Sequence, residues 1–385
     1  MVWQNHQVKI ALISCGLGHV KRGIETWTDD LGQALQECGI NVTVYKGAGK
    51  RDRPYEKVIP CLKRNDRLSR WLVKYMPGFC WRMGLGSGYQ LEEATFTWSI
   101  FLELMRQQYD IIHTQDPHIA DNIRKMRKLR LIRSKEILAH GTEEPFEFLG
   151  KFDYLQHLAP FHLEETRSHG YRGRRWFAIG NFIDTDVYHP NIGRSLRMEL
   201  GIPDRAFVVL CVAAIKKGHK RIDYLIQEIS RINHPDVVLV VAGSHGEQTE
   251  ELMQLGQEKL GSRVVFLANF PHDRIQQVYA MADLFTLTSL KEMMPIALLE
   301  ALACGLPAIV HQYPVEEWMI GEGGESIDMQ KEGALAETIE KYYLHAHLRA
   351  VKAQKAREHA INHFSKEAVC QQIINMYEDV LQDGS

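Results

Sequence analysis

Apolar residues in this chain come in short continuous blocks, each running into a polar or glycine-containing loop. Val8-Lys-Ile-Ala-Leu-Ile-Ser14 is such a block and predicts a strand, followed by the loop Cys15-Gly-Leu-Gly-His-Val-Lys-Arg-Gly23. A helix is expected over 26–37, then Gly39 and a second strand over 41–45. Strand, loop, helix and strand in that order make a βαβ unit and a parallel sheet. Residues 110–113 and 136–140 read as further buried strands, each delivering polar residues at its carboxyl end. Open α/β sheets bind ligands at that edge. The pattern restarts in the second half, with strands expected over 207–213, 237–243, 264–267, 284–287 and 308–310 and helical segments between them. Two Rossmann-like halves follow one another, and the stretch 184–204, with Pro190 and Pro203, is the best joint.

One more helix is predicted in Lys291-Glu-Met-Met-Pro-Ile-Ala-Leu-Leu-Glu-Ala-Leu-Ala-Cys-Gly-Leu-Pro307. Pro295 fits its first turn, and Gly305 followed by Pro307 closes it. Between those ends only Glu300 is polar, so the helix is expected to be buried all round. A buried carboxylate is costly unless it is paired or hydrogen-bonded. Glu300 therefore wants either a neighbouring Arg or Lys, or a pair of ligand hydroxyls. Glu292 lies just before the helix start, where free N–H groups and the helix dipole favour an anion such as phosphate. Two carboxylates for hydroxyls, with a phosphate site between them, suggest a nucleotide-sugar pocket.

Composition narrows the class. A chain of 385 residues is long enough for two cores. A formal net charge of -2 gives no reason to expect nucleic acid as a partner. No apolar run approaches the roughly 20 residues that span a bilayer, and no signal peptide is expected. Seven scattered cysteines without a Cys-x-x-Cys pair fit a reducing cytoplasm.

The Glu-x7-Glu spacing followed by Ala-Leu-Ala-Cys-Gly-Leu-Pro resembles the donor-site motif of retaining glycosyltransferases of family 4. That resemblance implies the GT-B fold, two Rossmann-like α/β domains facing each other across a cleft. It divides the chain into an acceptor-side domain over 1–185, a nucleotide-sugar domain over 186–364, and a helix over 365–385 that returns to the first. It implies that Glu292 contacts the donor sugar and Glu300 the ribose hydroxyls, with Met294 and Pro295 among the donor-binding residues. Lys220, followed by Arg221-Ile-Asp-Tyr-Leu-Ile226, matches the family's diphosphate lysine. Lys216 is carried into the place of the family's arginine, with Arg221 as second candidate. Arg22-Gly-Ile-Glu-Thr26 resembles the loop whose small residue, here Gly23, lets the backbone approach the donor phosphate. His140, in His140-Gly-Thr-Glu-Glu144, matches a histidine near the reacting carbon. Asn181 to Pro190 resembles the interdomain segment, with Phe182 in place of its glycine. The implied activity is transfer from a UDP- or GDP-sugar to a glycan, lipid-linked or small-molecule acceptor, with no cofactor and no metal. A sugar-nucleotide 2-epimerase and a degenerate, non-catalytic scaffold on the same fold remain open alternatives at this point.

Four other patterns carry less. Gly16-Leu-Gly18 lacks the third glycine of a dinucleotide fingerprint, and no acidic residue closes the second strand, which argues against NAD. Asp184-Thr-Asp186 and His345-Ala-His347 spell short metal-like patterns, but neither sits where a metal is expected. The run from Arg64 to Arg82 interleaves basic residues with Trp71, Tyr75, Phe79 and Trp81. It reads as an acceptor-side surface, as a basic amphipathic segment lying on anionic lipid at the inner membrane face, or as an insertion with its aromatics turned inward.

Overall fold

Every strand expected from the sequence forms, in a computed structural model that describes residues 8–20, 23–75 and 86–383. The contacts divide the chain into two units: Met1–Gly180 with Cys370–Ser385, and Asn181–Val369. In the first unit the strands are β1 (Lys9–Ser14), β2 (Asn41–Lys46), β3 (Glu56–Val58), β4 (Ile111–Thr114), β5 (Lys135–His140), β6 (Tyr154–His157) and β7 (Arg175–Ala178). They pair in parallel in the order β3-β2-β1-β4-β5-β6-β7. In the second unit β8 (Phe207–Val212), β9 (Val237–Gly243), β10 (Val264–Ala268), β11 (Leu284–Thr286), β12 (Ala308–His311) and β13 (Gly324–Ile327) pair in parallel in the order β10-β9-β8-β11-β12-β13. The short strands β3, β6, β7 and β13 are additions that the apolar pattern did not announce.

Parallel sheets carry helices on both faces, which is why their strands read as continuous apolar runs. Ile13 and Ile112 pack with Ile119 and Phe96 in the first unit. Val209, Leu239 and Ile309 pack with Ile226 and Leu335 in the second. The first unit also takes in the last helix from Cys370 on. Tyr377 Oη lies 2.8 Å from His113 Nδ1, and Lys135 Nζ donates to the carbonyls of Val380 at 2.7 Å and Leu381 at 3.2 Å. In each sheet the strand order reverses once, between β1 and β4 and between β8 and β11. Ligands bind outside the carboxyl ends of the strands at such a reversal. Among the described residues no helix is long and apolar enough to cross a membrane.

Candidate functional site

The second unit brings two of the named side chains into direct contact at its reversal point. Lys220 is on the loop after β8, which Gly218 and Arg221 turn with φ of 60° and 50°. Glu292 is on the loop after β11. The Lys220 ammonium forms an ion pair with Oε1 of Glu292, and Ser289 Oγ donates to the same oxygen at 2.5 Å. Thr288 Oγ1 donates to the Lys220 carbonyl at 2.8 Å, and the His219 ring is 2.8 Å from the Lys291 carbonyl, so the two loops are tied at both ends of the pair. The sequence reading kept these charges apart, the lysine for phosphate and the carboxylate for sugar. They pair with each other, because the neighbouring ends of β8 and β11 leave them within reach.

Glu300 sits on the helix Ile296–Ala303, with Pro295 at the N-cap and Gly305 at φ 71° just past the end. Arg357 donates to the Ala303 carbonyl at 2.6 Å, which holds the helix C-terminus. The expectation of burial on every side needs correction. Leu298, Leu299, Ala301, Leu302 and Ala303 are buried, but Ile296, Ala297 and Glu300 are only half-buried. Positions three and four apart share a helix face, so these three form one stripe that the core does not cover. Among the described residues no Lys or Arg charge acts on Glu300, and the His272 charge acts on it least. The Tyr279 hydroxyl donates to its Oε2, and the Tyr188 hydroxyl also holds its pKa down. Burial of the carboxyl outweighs both and leaves the group above the usual carboxylate range.

Other assigned residues take different places. Arg221 donates to the carbonyls of Met329 at 3.1 Å and Thr288 at 3.5 Å and lies 4.1 Å over the Tyr224 ring. Its guanidinium therefore braces the loop. Lys216 is exposed at the start of that loop, and its carbonyl accepts from Ile222 N at 3.3 Å. Met294 is buried, and its sulfur accepts from Asn181 N at 3.0 Å. Glu316, which the sequence reading passed over, is wholly buried with neither carboxylate oxygen bonded. Burial, reinforced by the Glu292 charge, pushes it up to about 9.

In the first unit, His140 closes β5 and Gly23 opens the exposed N-terminus of the helix Gly23–Glu37. Lys21 and Arg22 of that loop lie outside the described residues. A Cβ on Gly16, where this loop leaves β1, would displace the Glu25 carboxylate. Around it stand Glu25, Glu92, Glu93 and Asp116, all buried. Arg64 and His19 both bind the Glu92 carboxylate, and the Tyr89 hydroxyl donates to Asp116 at 2.7 Å. Burial and then the Asp116 charge push Glu93 up to about 9. Arg64 is thus drawn inward, away from the basic run it heads. The rest of that run forms the helix Arg67–Tyr75, with Trp71 50% and Tyr75 61% exposed. Phe79, Trp81 and Arg82 lie outside the described residues. The Asp184 carboxylate accepts from the backbone N–H of Asp186 at 2.9 Å and Val187 at 3.2 Å, a turn rather than a metal ligand set. Among the described residues no three His, Cys, Asp or Glu side chains are grouped to hold a metal ion.

Two Rossmann-like sheets in sequence, with an acidic and a basic loop meeting at the second reversal point, define a GT-B protein. Residues 194–359 match the family Glycosyl transferases group 1. The chain is 25% identical over 293 residues to N-acetyl-alpha-D-glucosaminyl L-malate synthase of Bacillus anthracis, covering 73% of this chain and 76% of that one. It is 26% identical over 241 residues to alpha-galactosylglucosyldiacylglycerol synthase of Streptococcus pneumoniae, 60% of this chain and 63% of the relative. Among solved structures, sucrose-phosphate synthase from Thermosynechococcus elongatus aligns with a TM-score of 0.77 at 18% identity, covering 97% of this chain and 99% of that one. Anabaena HepE in complex with UDP and glucose aligns at 0.74 and 18% identity, covering 97% and 100%. Residues 194–359 thus carry a glycosyl transferases group 1 domain, the fold is GT-B, and the protein is a glycosyltransferase enzyme.

Proposed function

We propose that the protein transfers a sugar, with retention, from a UDP- or GDP-sugar to a hydroxyl of a glycan, lipid-linked or small-molecule acceptor. The observation that carries this reading is the Lys220–Glu292–Ser289 cluster, with Glu300 on the open stripe of the adjoining helix. A donor diphosphate would draw the Lys220 ammonium toward itself and release Glu292 Oε1 to the sugar hydroxyls. The Glu300 carboxylate, steadied by Tyr279, would accept from the ribose hydroxyls. As the bond from the anomeric carbon to the diphosphate oxygen breaks, Lys220 neutralises the charge that grows there. That oxygen takes the acceptor's proton, and the new carbon–oxygen bond forms on the same face. This scheme uses no protein nucleophile and no metal. Met294 and Pro295 would pack beside the donor, and the exposed Lys216 would reach its phosphates. In the first unit, His140 at the carboxyl end of β5 would face the substrate, and Gly23, exposed at the start of its helix, would let the backbone approach the donor phosphate. The uridine base has support from the UDP-bound structure named above. The two relatives divide between a small acceptor and a lipid one, so the acceptor must be found by assay.

Incubation with UDP- and GDP-sugars tests the reading directly. Nucleoside diphosphate release that depends on an added acceptor is expected. Conversion of donor alone would favour the epimerase, and no turnover with any acceptor would favour the scaffold. Glu300→Ala should weaken donor binding by about 1.5–3 kcal/mol, the range for hydrogen bonds to a charged group. Unchanged calorimetric affinity in the folded variant would remove Glu300 from the site.

We further propose that the helix Arg67–Tyr75 rests on an anionic lipid surface. Arg67, Arg70 and Lys74 are exposed beside Leu68, Trp71 and Tyr75, while Ser69 is buried. Cosedimentation should occur with phosphatidylglycerol-containing vesicles, not with neutral ones, and weaken in high salt. Equal binding by Trp71→Ala with Tyr75→Ala would sink it.

A further inference from the structure

Strands β5 and β6 end level with each other, so His140 and His157 are register partners and their side chains leave the sheet on the same side. Their Nδ1 atoms are 3.2 Å apart, with the rings nearly perpendicular at 87°. His140 is 6% exposed and His157 0%. Among the described residues, neither buried Nε2 has a hydrogen-bond partner. Behind the pair, the His157 ring packs edge-on against Trp176 at 5.7 Å. Burial pulls His140 down to about 4 and His157 to about 2, so both rings are neutral near pH 7.

A neutral imidazole carries one N–H, on one nitrogen or the other. An Nδ1-to-Nδ1 hydrogen bond therefore uses the proton of one ring and the lone pair of the other. The donating ring is left with a bare Nε2. The accepting ring must carry its own proton on Nε2. The pair thus has two arrangements, and they differ in which Nε2 bears a hydrogen. A buried N–H without an acceptor is the rarer and costlier defect. His157 is the deeper ring, walled by Trp176, so the bare nitrogen belongs there. His140 is the shallower ring and runs into the loop that starts at Gly141, with the His162 ring 6.1 Å away.

We infer that His157 is a positioning residue: its Nδ1–H donates to His140 Nδ1 and so keeps the His140 proton on Nε2. His140 then offers a sugar oxygen a hydrogen-bond donor and cannot act as a general base through that nitrogen. This rests on the reading of His140 as a substrate-contacting residue. It adds the tautomer and names the group that sets it. No proton is transferred in the ground state, and none is required of the pair during transfer.

Nitrogen-15 histidine NMR of the whole protein at pH 7.5 reads the tautomers without any variant. The expected spectrum has His157 protonated on Nδ1 and His140 on Nε2. The reverse assignment, a charged ring, or zinc bound stoichiometrically by the pair would overturn the inference. Among variants, His157→Phe removes the donor and should lower kcat about tenfold, as for one lost buried hydrogen bond. His157→Asn puts an amide N–H where Nδ1–H was and should recover most of that loss, with the His140 proton again on Nε2. Loss of activity in both folded variants alike would overturn it. Reversed tautomers with an inactive His140→Ala leave the functional reading standing and reject this one. The expected tautomers with a fully active His140→Ala reject the functional reading, and with it any part for His157 in transfer.

Discussion

On the proposed reading, Lys220 must trade one partner for another. Its ammonium is held by Glu292, and Ser289 shares the same oxygen. Charge on the leaving oxygen is greatest in the transition state, and an interaction made mainly there raises kcat. Lys220→Ala should therefore lower kcat by about 10²-fold or more, in the range seen when one charge-stabilising donor is removed. Donor affinity should change by less than about tenfold, because the freed Glu292 carboxylate then repels the diphosphate only weakly beside Ser289. Steady-state kinetics together with calorimetry separates the two, and equal losses in both would mean that the lysine binds the ground state just as well. Tyr279 makes a second, milder case. Its hydroxyl holds Glu300 Oε2 without touching the proposed ribose. Tyr279→Phe should weaken nucleotide binding by about 1 kcal/mol, the usual net worth of a hydrogen bond, and an unchanged dissociation constant would show that the carboxylate needs no such support.

The helix Ile296–Ala303 fixes the distance between Glu292 and Glu300, and its ends decide whether it forms. Gly305 has φ of 71°, a conformation that L side chains rarely adopt, yet nothing lies closer than 3.7 Å to where a Cβ would be. Gly305→Ala therefore isolates the backbone term: thermal melts should show a loss of about 1 kcal/mol with no sign of overpacking. These ends were legible in the sequence, as were the strands with apolar runs, because buried parallel strands leave such runs. The strands β3, β6, β7 and β13 were not, although β4, β11 and β12 are as short, since each carries polar groups that only tertiary partners make acceptable. Gln156 in β6 donates to the Ile179 carbonyl at 2.9 Å, and Glu56 in β3 meets Lys46 at 2.6 Å. The same division runs through the site. Glu292, Glu300 and Lys220 are legible because local order sets them on strand-end loops and one helix. Tyr279, Ser289 and His157 are not, because their value depends on which neighbour folding places against them. Arg221 shows the converse: its charge suggested a ligand, but its left-handed backbone turns the guanidinium onto two carbonyls.

Across the whole chain, burial leaves several titratable groups neutral, and they pull stability in opposite directions with pH. His113, held at about 3, and His157, at about 2, lie below the ordinary histidine value. For them the unfolded chain binds more protons between that value and about 6.5, so stability is full above about pH 6.5 and is lost as pH falls. Glu316 is the opposite case, raised to about 9. Its stabilising neutral form is fully present below about pH 4.5, and stability is lost as pH rises from there through about 9. Each pH unit inside that window is worth at most about 1.4 kcal/mol for one wholly buried group. Glu316→Gln keeps the shape of the neutral acid and removes its titration. Wild type and variant should therefore unfold at similar denaturant concentrations near pH 4.5, and the variant should gain steadily from pH 5 to pH 9. Glu316 stands close enough to Glu292 and Lys220 for their charges to act on it. Parallel stability curves for the two proteins from pH 5 to 9 would mean that this carboxyl finds a charged partner that keeps it ionised.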